Sequence, residues 1–388
     1  MGQMGKIFAV AALLLAVAAG NGDRAIAAGR HASAARSGIA FRRAGHLRRG
    51  INLSMWYAQA RDYSAERLAT YTTLEDFKLV KSLGFDHVRL SINPEPLMLK
   101  GAPETLDPAA IARLDKTVAE ITGTGLVVIL DIHPEMPYVE ALGQGKEPAA
   151  KFLTFWTTFA THFAKTDPDK VYFEVLNEPH MEDSYRWAGI QSKAVPVIRA
   201  AAPRHTIIAT GNHWGGVDGL LELEPVRDDN VIYSFHDYDP MTFTHQGASW
   251  SSGYLKTLRG VPYPVKPMDV AQLAAAASDE QAKAELTKYG EQRWNAERVD
   301  KEVATAAAWG SQHGVPVWCG EFGVYTAFSD PASRALWLHD MRVALEAHGI
   351  GWSMWDYQGS FSLVTKTDGK AVADARVVEA LGLRPSRP

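Results

Sequence analysis

Two glutamates stand where chemistry could be done: Glu178 in Val-Leu-Asn177-Glu178-Pro179, and Glu321 in Cys319-Gly320-Glu321-Phe322-Gly323. Each closes a short apolar run, the place where a buried strand meets solvent. Two carboxyls brought to one rim can divide the work of general acid and nucleophile. Retaining glycoside hydrolysis uses such a pair about 5–5.5 Å apart: one protonates the leaving oxygen and the other attacks the anomeric carbon. Further polar and aromatic residues close other apolar runs: Arg89 in Val-Arg-Leu-Ser, His133 in Asp-Ile-His-Pro, His236 and Tyr238 in Phe-His-Asp-Tyr, and Trp355. Glu174 shares strand parity with Glu178 but lies deeper in the chain's path, so a buried, hydrogen-bonded role is expected for it.

The elements that must position these residues alternate. Strands are expected at about 50–53, 86–91, 126–132, 171–177, 206–210, 231–236, 315–320 and 350–355, with Leu126 to Ile132 almost wholly apolar, as in a strand buried on both faces. Helical patterns separate them. Thr73 starts one that carries Leu74, Phe77, Val80 and Leu83 on one face and stops at Gly84. Asp107 and Pro108 start another, with Ile111, Leu114, Val118 and Ile121 on its inner face and Gly123 at its end. Phe152, Trp156, Phe159 and Phe163 form an aromatic stripe at helical spacing and are assigned to the core. Eight strand and helix units in sequence imply parallel strands and the α/β class, as a (β/α)8 TIM barrel whose C-terminal rim carries the reactive side chains. A stretch from Asp239 to about Val299, with Phe243, Trp250, Tyr254, Tyr263, Tyr289 and Trp294, is expected to form a long insertion after the sixth strand, on the active face.

Composition narrows the function class. The chain has 388 residues, 46% of them hydrophobic, and a net charge of −4, which gives a nucleic-acid partner no electrostatic support. Lys6, the apolar run from Ile7 to Ala19 and the Ala-x-Ala sites at Ala16 and Ala25 predict a signal peptide over residues 1–27. The run falls short of the roughly 20 residues that span a bilayer, so no stable membrane insertion is expected after its removal. Residues 28–48, with Arg36, Arg42, Arg43 and Arg48 and then Arg49, read as a basic, solvated arm, and residues 49–388 as a single barrel domain. Cys319 is the one cysteine, which excludes an internal disulfide.

Taken in order, Arg89, His133, Asn177, Glu178, His236, Tyr238, Glu321 and Trp355 make the chain resemble family 5 of the glycoside hydrolases, the cellulase-like family, from about Arg49 to Phe361. The resemblance implies that Glu178 is the acid/base and Glu321 the nucleophile. It also implies that Asn177 contacts the sugar 2-hydroxyl, that Arg89 and Tyr238 support the nucleophile, and that His133 and His236 complete the rim. Trp355 is expected to be a sugar platform, and Trp56, Trp214 and Trp250 further substrate-binding aromatics.

The function expected is that of a secreted or periplasmic, monomeric retaining glycoside hydrolase acting on a β-glucan, with endo-β-1,4-glucanase activity first. The same positions also fit an exo-acting β-glucanase, a β-glucosidase or a mannanase. A non-catalytic carbohydrate-binding barrel is the alternative of a different class, disfavoured because it would not need both carboxylates. No cofactor is expected. No metal site is expected either, since neither a His-x-His nor a His-Glu-x-x-His pattern accompanies the strand-end histidines.

Overall fold

The computed structural model describes residues 38–384, apart from Gly101 and Ser252. Eight parallel strands close into a barrel in sequential order: β1 (Arg49–Tyr57), β2 (His87–Ile92), β3 (Val127–Ile132), β4 (Val171–Glu174), β5 (Ile207–Thr210), β6 (Val231–His236), β7 (Val317–Glu321) and β8 (Gly351–Met354). All eight expected strands are present and the fold is the (β/α)8 barrel. β4 is shorter than its apolar run: the chain leaves the ladder after Glu174, and Asn177 and Glu178 stand on the loop beyond it.

Local sequence explains the helices. Over Leu74–Ser82, Thr73 and Asp76 form a capping box. Over Pro108–Gly123, the Asp107 side chain accepts from the backbone N–H groups of Ala109 and Ala110. The helix ends at Gly123 as expected, and Gly125, two residues on, turns the chain at φ +81° into β3. The aromatic stripe lies on the helix Lys146–Phe163, with Phe152, Trp156, Phe159 and Phe163 all buried.

Inside the barrel, the lowest layer is Ile129, Tyr172, Ile208, Ile232 and Trp318, packed on Leu47. Leu47 follows a short helix, Ile39–Ala44, that plugs the N-terminal end of the barrel. The solvated-arm expectation therefore fails for this part of the arginine stretch. Arg43 is buried, its Nε 2.8 Å from Asp169, and its carbonyl accepts from the Tyr172 hydroxyl at 3.2 Å. Arg49 reaches Glu346 at 2.7 Å. The structured unit thus begins before residue 49, because an open barrel bottom would expose the apolar layer above it. The leader and Arg36 lie outside the described residues.

The insertion after β6 is mostly helical, with Met241–Thr244, Pro267–Ala276 and Glu280–Gln292 preceding the crossover helix Ala296–His313. Its aromatics divide as their environment requires: Phe243, Tyr263, Tyr289 and Trp294 form its own core, whereas Trp250 is half exposed. Its first part borders the barrel mouth. The Thr244 hydroxyl donates to the Tyr238 carbonyl, and the Thr244 carbonyl accepts from the Tyr325 N–H at 2.8 Å.

Candidate active site

Strand alternation carries one row of side chains up the barrel axis. On β3 it runs Ile129, Asp131, then His133 just past the strand; on β6 it runs Ile232, Ser234, His236. On β7 the inward row starts at Trp318, so strict alternation would place Gly320 inward and Glu321 outward. The β6–β7 register shifts instead: Phe235 pairs with Cys319 and His236 with Glu321, leaving Gly320 as the unpaired residue of a bulge. A Cβ on Gly320 would lie 2.6 Å from Ser234 Oγ and 2.9 Å from His236 Nε2, so only glycine fits. The bulge turns Glu321 into the barrel mouth.

Glu321 is held by two donors, one on each oxygen: Arg89 Nη1 at 2.7 Å to Oε1 and the Tyr238 hydroxyl at 2.7 Å to Oε2. Arg89 is fully buried and clasps Glu174 through Nε at 2.6 Å and Nη2 at 3.0 Å, while Nη1 also donates to Asn52 Oδ1 at 3.0 Å. Glu174 is accordingly the buried partner expected of it. Asn52, which no sequence motif marks, also donates through Nδ2 to the Gly320 carbonyl at 3.0 Å and so ties β1 to the bulge. Its amide side chain between the buried Ile51 and Leu53 is the one signal that points to it.

Glu178 faces Glu321 from the β4 side with its backbone at φ +43°, a region that non-glycine residues rarely occupy and that recurs at functional sites. His236 Nδ1 lies 3.0 Å from Glu178 Oε1 and 3.7 Å from Glu321 Oε2. One atom each of Glu178, His236 and Glu321 lies within 4.8 Å of the other two. A quarter of the Glu178 side chain is exposed against 4% of Glu321, so Glu178 meets the cleft and Glu321 lines its floor.

Burial pushes both carboxyls above the usual glutamate range. Arg89 and Tyr238 oppose this at Glu321 by bonding to its charged form, and Glu178 has no equivalent pair of donors. The proton shared by such a pair therefore belongs on Glu178. Burial also holds His133 and His236 down at about 4, which makes both imidazoles neutral near pH 7. Burial raises the Tyr238 hydroxyl too, with Glu321 next in effect, which keeps it a donor.

His133 stacks on Trp355, ring centroids 5.8 Å apart at 19°, and takes Asn177 Nδ2 at 3.2 Å on its Nε2. Trp355 is 9% exposed, at the mouth above β8. The structure thus gathers Arg89, His133, Asn177, Glu178, His236, Tyr238, Glu321 and Trp355 at the C-terminal mouth of the barrel. The other aromatics split. Trp214 is half exposed and stacks on His180, centroids 4.0 Å apart at 7°, and its backbone N–H donates to the Pro179 carbonyl next to Glu178. Trp250 stands edge-on to Tyr325 at 4.7 Å. Trp56 does not belong to the rim: it is buried against Tyr57 and Phe77, with its indole N–H donating to the Leu68 carbonyl at 2.9 Å. The β1 ladder is irregular between Leu53 and Tyr57, and Trp56 packs there under the helix that follows. His180 joins the site without having been expected in it; its spacing of two from Glu178 is the available signal.

The trio of Glu178, His236 and Glu321 has donor atoms spaced as a small cation would need. Both oxygens of Glu321 are already occupied by the Arg89 guanidinium and the Tyr238 hydroxyl, and a cation there would lie against a fixed positive charge.

Comparison with known proteins agrees with this geometry. The family model for Cellulase (glycosyl hydrolase family 5) matches residues 49–360. The chain belongs to glycosyl hydrolase family 5. It is a glycoside hydrolase. Endoglucanase C of Acetivibrio thermocellus is 27% identical over 334 residues, covering 84% of this chain and 96% of that protein. Cellodextrinase A of Ruminococcus flavefaciens is 27% identical over 310 residues, covering 78% and 83%. The crystal structure of a hyperthermophilic endo-β-1,4-glucanase in complex with substrate superposes with a TM-score of 0.73 at 26% identity, covering 89% of this chain and 99% of that one.

Proposed function

We propose that this family 5 hydrolase is a retaining endo-β-1,4-glucanase, with Glu178 as acid/base and Glu321 as nucleophile. The observation that carries the reading is the carboxyl pair, with oxygens within 4.8 Å and opposite donor sets. That separation matches the retaining class and leaves no room for the water an inverting pair holds between carboxyls at about 6.5–9.5 Å. Glu178, protonated, gives its proton to the glycosidic oxygen as Glu321 Oε attacks the anomeric carbon. The bond to the leaving sugar breaks and a glycosyl ester forms. Esterification removes the charge of Glu321, and Glu178, now ionised, takes a proton from the water that hydrolyses the ester. Arg89 and Tyr238 keep Glu321 ionised before attack; Asn177 has an amide N–H to offer the sugar 2-hydroxyl.

Trp355, stacked on His133, would carry the sugar ring whose anomeric carbon is attacked, with Trp214 and Trp250 as half-exposed surfaces for neighbouring rings. The names of the relatives support a β-1,4-glucan as the polymer and internal cleavage as the mode. The leader sequence supports export, and the protein would act as a monomer outside the cytoplasm. No helix among the described residues is long and apolar enough to cross a membrane.

Reducing-sugar release and viscosity loss, measured together on carboxymethylcellulose, mixed-linkage glucan, β-1,3-glucan, xyloglucan and mannan, test the reading. Viscosity falling ahead of reducing ends on the β-1,4-glucans is expected. Release from cello-oligosaccharides alone, with polymer viscosity unchanged, would replace it by a cellodextrinase or exo-acting function. Binding without hydrolysis on every substrate would replace it by a carbohydrate-binding barrel.

A further inference from the structure

We propose that Asp131, which lies outside the eight positions of the family resemblance, is a positioning residue for the reaction: acting through His133, it fixes the direction in which Asn177 offers its amide to the substrate. The inference rests on the reading of Asn177 as the partner of the 2-hydroxyl.

Asp131 is fully buried on β3, with Oδ2 3.1 Å from Arg89 Nη2 and 2.9 Å from His133 Nδ1. The orientation of every group in the chain follows from groups whose hydrogen-bonding sense has no alternative. A guanidinium only donates, so the Asn177 atom 2.9 Å from Arg89 Nη2 is Oδ1. Nδ2 then faces His133 Nε2 at 3.2 Å, and an amide nitrogen only donates, so Nε2 accepts. A neutral imidazole with Nε2 accepting carries its proton on Nδ1, where the Asp131 carboxylate receives it. One Asn177 N–H is thereby engaged by His133, and the second is left for the sugar.

Removing the carboxylate removes the reason for that tautomer. With the proton on Nε2, the imidazole would present a donor to the Asn177 N–H. Relief by rotating the amide would set its NH2 against the Arg89 guanidinium, which also only donates. The aim of Asn177, set on its oxygen by Arg89, therefore depends on its nitrogen side on an acceptor two hydrogen bonds away, one that touches no substrate.

The test uses aryl β-cellobioside and its analogue lacking the 2-hydroxyl on the sugar joined to the aryl group, with Asp131→Ala, Asp131→Asn, Asn177→Ala and the double variant Asp131→Ala/Asn177→Ala. Asp131→Ala is expected to lower kcat/KM on the hydroxylated substrate by about tenfold to a hundredfold, and far less on the deoxy analogue. Its effect is expected to vanish in the Asn177→Ala background. Asp131→Asn, whose amide oxygen can still accept from His133 Nδ1, is expected to recover most of the discrimination between the two substrates. Equal losses on both substrates, or a loss undiminished by Asn177→Ala, would overturn the proposal and leave Asp131 a purely structural residue. The proposal falls equally if Asp131→Ala does not fold and Asp131→Asn, folded by thermal melting and near-UV circular dichroism, loses activity to the same extent on both substrates. Wild type and Asn177→Ala failing alike to discriminate between the two substrates would instead sink the reading of Asn177, an outcome visible without any Asp131 variant.

Discussion

The floor of the cleft and its aromatic rim are built on opposite terms. On the floor, Arg89 is buried completely, bonded to Glu174, Asn52, Asn177 and Glu321 and paired with Asp131, so that a single guanidinium sets the position of residues from four other strands or their loops. At the rim, Trp214 and Trp250 are each about half exposed and rest on one or two rings, His180 in one case and Tyr325 with Phe361 in the other. The floor is over-determined because charges taken out of water must be paired and hydrogen-bonded in full. The rim has no such obligation, since an indole can lie half in solvent with little penalty. Chemistry is therefore carried where substitutions are intolerable, and the fit to a polymer where they are tolerated.

The comparison is broken most directly at the carboxyls. Glu178→Gln and Glu321→Gln are each expected to lower kcat by about 10²–10⁴-fold on polymer, with both chains folded by circular dichroism. Retained activity in either would remove that residue from the chemistry. Tyr238→Phe sharpens the floor side, because it takes one of two donors from Glu321. Losing a donor to the charged form raises the carboxyl's pKa, so the acid limb of the kcat/KM profile is expected to move to higher pH, with a fall of roughly tenfold to a hundredfold at its optimum. An unmoved acid limb would mean that Arg89 alone holds Glu321 ionised.

At the rim the expected effects are smaller and fall on KM. Trp214→Ala is expected to raise KM for long cello-oligosaccharides by about tenfold or less while leaving melting unchanged, since stacking contributes about 1 kcal/mol and the residue is half exposed. A drop in kcat equal to that of Tyr238→Phe would place Trp214 with the floor. The smallest effect is expected from chelation: activity in strong chelator should equal that in buffer, as Arg89 and Tyr238 already hold both oxygens of Glu321 and the guanidinium would repel a cation there. Loss restored by an added divalent ion would reassign the Glu178, His236 and Glu321 trio to metal chemistry.

Much of this is legible in the chain. Apolar runs of strand length, most of them ended by a polar or aromatic residue, reveal the barrel and its working rim together, because a strand buried on both faces keeps a polar side chain without a buried partner only where it emerges. Asp107, Thr73 and the aromatic stripe on Lys146–Phe163 are equally plain, since caps and helical faces are local patterns. Trp56 misleads for the complementary reason: the sequence places it just past an expected strand end, but β1 runs on to Tyr57 and a helix covers the indole. Asn52 and His180 acquire meaning chiefly from Gly320 and Trp214, partners remote along the chain, and Asp131 from a place between the neighbouring His133 and the remote Arg89; no local pattern marks the remote partners.

What the sequence determined by itself was the order of strands and helices, the residue types at the strand ends and the family they belong to, all of which depend on neighbours along the chain. Tertiary structure decided which of those residues share an oxygen. It took the bulge at Gly320 to turn Glu321 inward, the φ +43° backbone to bring Glu178 toward it, and closure of the barrel to bury one arginine among side chains from four other strands. The reason is geometric: strand parity fixes only the face a side chain takes, while proton position and charge depend on distances of a few ångströms between strands far apart in sequence.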